Sequence, residues 1–368
     1  MEIEELLEAL RADLEGTMLS QSQKTGWPVP VGSGYLFVST LPGLDLLAGD
    51  HDGWAGTPMN ADDGFAWLFA GVEQGTRYKL TDGVKWEPDP WSRAYLYDEY
   101  GLMSAVEPAG AHFERHFAVE GGAMQPRTVR VWIPPGPATH VLYVEDGQNL
   151  FDPEAPWGSW KLQDSAPEAM MIVGIDNTPA RMDEYTHVQD LIDGELCGGD
   201  GDSYADLVQQ VVRGLVKQQY GEPGRVGLMG SSLGGLISFH IADRYPGEYD
   251  FAASLSGTMG WGSIGLSDGA QNETMIERYA KHGHQGTALY LDSGGGGTCY
   301  DADGDDIEDD DPEAEDNYCE NRQLEQVLQE AGYVPDTDLW HWWEPDAEHN
   351  EAAWAARVWR PLEIFAGM

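Results

Sequence analysis

Gly230-Ser231-Ser232-Leu233-Gly234 ends a short apolar run that starts at Val226 and opens directly onto a second, helix-periodic stretch. Strand, then Gly-x-Ser-x-Gly, then helix is the context in which a serine hydroxyl is pushed out of a sharp turn to serve as a nucleophile. Glycines flank such a turn because a Cβ on either side would clash. The helix that follows aims the positive end of its dipole at the oxyanion formed when the hydroxyl attacks a carbonyl. Ser232 has its glycines at the required spacing, whereas Ser231 would have Met229 and Leu233 in their place. Ser232 is therefore the candidate nucleophile, and the bland competitor is an ordinary glycine-rich turn.

A serine hydroxyl needs a neighbouring base, and a neutral imidazole suits neutral pH. In strand–elbow–helix enzymes the partners follow the serine in the order acid, then histidine. Only His341 and His349 come late enough. His341 sits in the alternating run Trp340-His341-Trp342-Trp343 and reads as a strand residue. His349 lies between that strand and the last helical stretch, where a loop can reach Ser232, and is preferred. The acid should follow the apolar run at 287–291, leaving Asp292, Asp301 and Asp316. Asp292 still belongs to the strand, and Asp316 precedes the next helix and could be its N-cap. Asp301, the first carboxylate of the loop, is the choice, so the expected catalytic set is Ser232, His349 and Asp301.

That loop is unusual. Asp301, Asp303, Asp305, Ile307 and Asp309 fall two apart with a glycine at 304, a spacing resembling calcium loops in which alternate oxygens converge on a hard cation. The fit is incomplete, because the glycine comes early and Pro312 stands where a closing Glu is expected. A solvated acidic loop is the alternative. If Asp301 held an ion, the triad role would pass to Asp316. No His-Glu-x-x-His or Cys-x-x-Cys pattern supports zinc. Cys299 and Cys319 flank the segment and could close it as a disulfide.

Twenty basic residues against 64 acidic ones give a net charge of −44. Such a surface repels phosphates and anionic membranes, so a nucleic-acid partner is not expected. Either a solvated acidic shell or selection for a cationic substrate would account for it. No run of 18 apolar residues occurs, so no membrane span is expected. Residues 1–15 alternate acids with leucines as a short amphipathic helix and lack the basic start and apolar run of a signal peptide. That favours the cytoplasm; a 299–319 disulfide, or a trimmed N-terminus, would favour export.

At 368 residues the chain has room for two domains beyond an N-terminal helix. Residues 1–24 read as that helix, 25–110 as a small all-β sandwich, and 111–368 as an α/β domain with the acidic insertion at 295–319. The sandwich is suggested by short alternating runs such as Tyr35-Leu36-Phe37-Val38 and Phe65-Ala66-Trp67-Leu68-Phe69, separated by Gly- and Asp-containing turns. Strand runs at 128–133, 140–144, 170–175, 225–229, 287–291 and 339–343 alternate with helical periodicity at 204–220, 235–245, 317–331 and 351–365. This pattern predicts a mostly parallel sheet covered on both faces.

The fragments Gly49-Asp50-His51-Asp52-Gly53-Trp54, Tyr78-Lys79-Leu80 and Trp86-Glu87-Pro88-Asp89-Pro90 resemble the β-sandwich module preceding catalytic domains in glycogen-branching enzymes and enterochelin esterases. Its aromatics could form a sugar-binding surface. Residues 142–151 (Leu-Tyr-Val-Glu-Asp-Gly-Gln-Asn-Leu-Phe), Val173-Gly174-Ile175-Asp176, Arg181 with Glu184-Tyr185-Thr186, the serine elbow, and His349-Asn350-Glu351 with Trp354 resemble the enterochelin-esterase and esterase D-like branch of the α/β-hydrolases. The resemblance implies an α/β-hydrolase fold and a Ser–His–acid carboxylic-ester hydrolase that requires no organic cofactor; structural calcium, suggested by the spacing of the acidic loop alone, is no part of it. It implies an oxyanion hole built from the N–H groups of Leu233 and Gln148, with Arg181, Glu184 and Tyr185 as braces. Its substrates would be siderophore-like, feruloyl, acetyl or short acyl esters, free or linked to polysaccharide. An acyltransferase using the same serine, or a carbohydrate-binding protein with a silent hydrolase domain, are the rivals.

Overall fold

A computed structural model of the protein describes residues 3–221, 223–265, 271–310 and 316–368. It forms two compact units, Met1–Val119 with Thr128–Pro137, and Glu120–Arg127 with Ala138–Met368. The strand His112–Val119 and residues 128–137 thus group with the first unit, past the boundary expected near residue 110.

The first unit opens with two helices, Ile3–Ala12 and Leu14–Ser22, rather than one. The break falls at Asp13, whose side chain accepts the Gly16 N–H and so starts the second helix as its N-cap. Leu6, Leu7, Leu10 and Met18 pack on Trp27, Val29, Leu36 and Val38, so the helices bury their apolar stripe on the small sheet that follows. That sheet pairs Val29–Val31, Gly34–Ser39 and Ala66–Ala70 antiparallel. Its opposite face, with Phe37 and Leu68, meets Leu47, Tyr78 and Leu80 of a second antiparallel set in a separate core. Two packed antiparallel layers with alternating inward side chains are a β-sandwich.

The second unit is built on parallel strands β1 (His140–Glu145), β2 (Met170–Ile175), β3 (Arg225–Ser231), β4 (Phe251–Leu255), β5 (Ala288–Ser293) and β6 (Leu339–Trp343), in spatial order β2-β1-β3-β4-β5-β6. β2, β4 and β5 are buried along their whole length, as expected for strands covered on both faces. The chain steps from β1 to one side, then returns to place β3 on the other. A ligand crevice is expected beyond the carboxyl ends of strands at such a switch point. Helices α1 (Leu233–Arg244), α2 (Met275–His282) and α3 (Tyr318–Glu330) join the strands from β3 to β6, and α4 (Glu351–Arg357) and α5 (Trp359–Ala366) follow β6. β4 and α2 were not expected. β4 reads Phe-Ala-Ala-Ser-Leu, five residues without a β-branched side chain or clear alternation, and α2 is eight residues long. The helix expected over 204–220 instead begins at Gly201 and widens to π geometry over Leu207–Val212.

Glu145 closes β1 in a fully buried position. Its Oε2 accepts from the Tyr204 hydroxyl, and among the described residues its Oε1 has no hydrogen-bond partner. Burial pushes its pKa up to about 8, with the Tyr204 hydroxyl opposing and the neighbouring Asp146 charge adding to the rise. The folded state therefore holds this proton more tightly than the unfolded chain does. Its contribution becomes destabilising as pH climbs from the ordinary glutamate value toward about 8. Glu145→Gln, which stays neutral, should gain Tm relative to the wild type between about pH 5 and about pH 9, by several degrees in calorimetry; a pH-independent difference would refute the burial argument.

Candidate active site

Ser232 follows β3 directly and occupies the N-cap of α1 with φ 56° and ψ −127°. This backbone region is sparsely populated and costs on the order of 1–3 kcal/mol, so its neighbours must hold it. The Ser232 N–H donates to the Leu255 carbonyl at 2.9 Å, and its own carbonyl accepts from Gly235 and Leu236 at 3.0 and 3.1 Å. A Cβ on Gly230 would lie 2.4 Å from the Gly234 backbone, and one on Gly235 would meet Ser254 Oγ at 2.3 Å. Each glycine is thus required by a close approach to rigid neighbours. Because Leu233 is the first residue of α1, its N–H has no acceptor within that helix.

A second wall comes from the turn after β1. Asp146 takes a left-handed conformation, φ 58°, and a 3-10 turn spans Gly147–Asn149. A Cβ on Gly147 would meet the Gly174 backbone at 2.6 Å, so this turn is pressed against β2. Arg181 grips Asp146 with two contacts of 2.8 Å, from Nε to Oδ1 and from Nη2 to Oδ2, and the Asp146 N–H donates to the Tyr185 hydroxyl at 3.2 Å. Glu184 stands one step behind, paired with Arg127 at 2.8 and 3.0 Å and accepting from Thr178 at 2.9 Å. Arg181, Glu184 and Tyr185 therefore sit where bracing residues would. The Gln148 side-chain carbonyl accepts the Asn177 N–H at 3.0 Å, fixing the turn from its open side.

Ser232, Gln148 and His349 line one cavity of about 390 Å³, together with Asp146, Asn177, Arg181, Glu351, Trp157 and Trp354. Trp157, 76 % exposed, stands on its rim. His349 Nδ1 lies 2.6 Å from Asp316 Oδ1. With Nδ1–H donated to that carboxylate, the basic electron pair is left on Nε2. The imidazole also packs edge-on against Trp354, ring centres 5.0 Å apart. Among the described residues, no hydrogen bond joins the Ser232 hydroxyl to His349; such contacts are often long until a substrate is bound.

The carboxylate beside His349 is thus Asp316, and the choice of Asp301 is corrected. Asp301 is exposed and spends its oxygens on its own turn, accepting from the N–H groups of Gly304, Asp305 and Asp306. Nor is Asp316 a helix cap. Asn317 holds the N-cap position of α3, and the Asp310 carboxylate accepts the N–H groups of Asp316, Tyr318 and Cys319 at 3.1, 3.0 and 2.7 Å. Asp292 lies inside β5, paired with Arg357 at 2.9 Å, and burial raises its pKa to about 6. His341 points its Nδ1 at Glu325, 2.6 Å away. Cys299 and Cys319 form a disulfide. Of the five expected calcium positions, Asp301, Asp303 and Asp309 bring oxygens within 4.8 Å of one another, all exposed. Those three could hold a hard cation, whereas Asp305 accepts the Ile307 N–H at 2.8 Å and Ile307 is buried.

The family model described as Putative esterase matches residues 123–362. The chain belongs to this esterase family. Among curated proteins it resembles the uncharacterized protein YbbA of Bacillus subtilis, 30 % identical over 144 residues, a match spanning 36 % of this chain and 57 % of that relative's length. Solved structures sharing its fold include an IroE-like serine hydrolase from Shewanella oneidensis (TM-score 0.51, 16 % identity, covering 69 % of this chain and 80 % of the other). Another is the enterochelin esterase of Shigella flexneri (TM-score 0.50, 16 % identity, 94 % and 96 %). A third is a siderophore hydrolase from Aspergillus nidulans (TM-score 0.50, 16 % identity, 68 % and 94 %). The fold is therefore that of the α/β-hydrolase esterases.

The two candidate acids are separable by experiment. Asp316→Ala should lower kcat on p-nitrophenyl acetate by about 10³-fold or more, while Asp301→Ala should keep wild-type turnover; the opposite ranking in steady-state assays would return the role to Asp301.

Proposed function

We propose that this chain is a serine-dependent carboxylic-ester hydrolase with Ser232, His349 and Asp316 as its triad. The observation that carries the reading is the 2.6 Å Asp316–His349 pair opening onto the cavity that Ser232 also lines. His349 Nε2 takes the Ser232 proton as Oγ bonds to the ester carbonyl carbon. The resulting oxyanion falls to the N–H groups of Leu233 and Gln148 at the positive end of α1. His349 then returns the proton to the departing alcohol as the C–O bond breaks. Water repeats the sequence to release the acid and restore the serine. The Asp316 carboxylate holds the imidazole tautomer and offsets the charge that the ring acquires. None of these steps calls on an ion in the acidic loop.

Trp157 and Trp354 in the cavity lining favour an ester with a flat apolar group, and feruloyl and catecholate esters meet that description alongside short acyl esters. The names of the enterochelin esterase and siderophore hydrolase that share the fold point the same way. Ser232→Ala should cut hydrolysis of p-nitrophenyl acetate by about 10³-fold or more with Tm preserved; undiminished turnover would remove the nucleophile assignment.

A specific observation favours a second, compatible reading, a sugar-binding surface on the first unit. Trp54, Trp86, Tyr100 and Met103 line a cavity of about 640 Å³ with Arg77, Lys79 and Asp98 among them. The Trp54 and Trp86 rings are 6.3 Å apart, and Trp86 and Tyr100 are exposed. Apolar ring faces beside a few charged groups suit a polyhydroxylated ligand that is apolar on one side. Native gels containing soluble starch or xylan should retard the protein, and Trp54→Ala with Trp86→Ala should abolish the retardation; equal mobility of variant and wild type on retarding gels would exclude this surface.

A further inference from the structure

Behind the triad acid lies a set of buried polar groups that the mechanism above does not use. The Asp316 carboxylate is divided in its contacts. Oδ1 faces His349 at 2.6 Å. Oδ2 accepts the Gly294 N–H and the Ser256 hydroxyl, the latter at 2.7 Å, with Arg357 Nη2 at 3.4 Å. Ser256 is the first residue after β4, fully buried, with a left-handed backbone of φ 49°. Its Oγ has two further neighbours, Trp354 Nε1 at 3.0 Å and Arg357 Nη2 at 2.6 Å.

Donor chemistry fixes the direction of this network. An indole N–H and a guanidinium N–H can only donate, whereas a hydroxyl carries one proton and two lone pairs. Trp354 and Arg357 therefore occupy both lone pairs of Ser256, leaving its proton a single destination, Asp316 Oδ2. Both donors come from one face of α4, three residues apart. Arg357 is in turn held by Asp292 of β5, Nε to Oδ1, at 2.9 Å.

We propose that Ser256, polarised by Trp354 and Arg357, is a positioning residue that fixes the plane of the Asp316 carboxylate, so that Oδ1 stays aimed at His349 Nδ1 while the imidazole gains and loses its charge. The proposal rests on the Ser232–His349–Asp316 reading. It differs from a merely structural role for the same contacts, because it requires Ser256 to act only through Asp316.

That difference is measurable by a double-mutant cycle on kcat with p-nitrophenyl acetate. Ser256→Ala should lower kcat by about ten- to a hundredfold, the range expected for one hydrogen bond to a charged group, leaving KM unchanged. In an Asp316→Ala background the same substitution should cost less than about threefold, since residues acting as a unit are not additive. Equal losses in both backgrounds, or wild-type kcat in Ser256→Ala, would overturn the proposal. If Ser256→Ala loses its circular-dichroism signature, Ser256→Cys, which keeps a small side chain but is only a weak donor and acceptor, is judged by the same rule. Ser232→Ala run alongside separates the outcomes: full activity there sinks the triad itself, whereas an inactive Ser232→Ala with additive Ser256→Ala sinks only the positioning role.

Discussion

The close approach of β3 to the first turn of α1 fixes where Ser232 stands in the second unit. Gly230 and Gly234 leave no room between them for a Cβ, and the Ser232 peptide is fastened on one side to Leu255 and on the other to α1. A backbone at φ 56° and ψ −127° would relax if those contacts were loose, so the strain is held by fully buried packing around β4 and α1. This arrangement puts a hydroxyl at the switch between β1 and β3, where the Gly147–Asn149 turn closes the opposite side. These two turns bring Ser232 and Gln148 into the lining of one cavity.

How far the sequence reveals this depends on the range of the interaction concerned. The elbow is a local rule, with glycines at fixed offsets between a strand and a helix, and the position of Ser232 on that turn was legible for that reason. That His349 lines the same cavity as Ser232 was legible by chain order. The six-strand sheet was visible except for β4, whose Phe-Ala-Ala-Ser-Leu carries too little pattern to distinguish strand from helix. Which carboxylate faces His349 was not legible, because several between 292 and 316 satisfy the same order and only the path of the loop selects among them. That path is set by contacts distant in sequence: Asp310 gathering three N–H groups at the start of α3, and Gly294 and Ser256 receiving Asp316 from β5 and β4. Ser256 itself carried no signal, since a lone serine after an unrecognised strand gives no hint that it is surrounded by obligate donors.

The charge distribution has a similar logic. With only 20 basic residues against 64 acidic ones, arginines are scarce, yet Arg127, Arg181 and Arg357 are each committed to carboxylates at or beneath the cavity. An unpaired carboxylate there would be costly to bury, whereas exposed acids elsewhere are solvated at little cost. The molecule therefore combines a strongly anionic exterior with a site in which Glu184, Asp146 and Asp292 are matched by arginines, while Glu145 is buried against the Tyr204 hydroxyl instead.

The Cys299–Cys319 bond ties the two ends of the acid-rich segment together only three residues beyond Asp316. A segment pinned at its neck can change in length or composition while its ends stay fixed. The exposed residues 301–304 are thereby a slot in which new surface chemistry can evolve, provided that Asp310 keeps its hold on the N–H groups of Asp316, Tyr318 and Cys319 beside the candidate site.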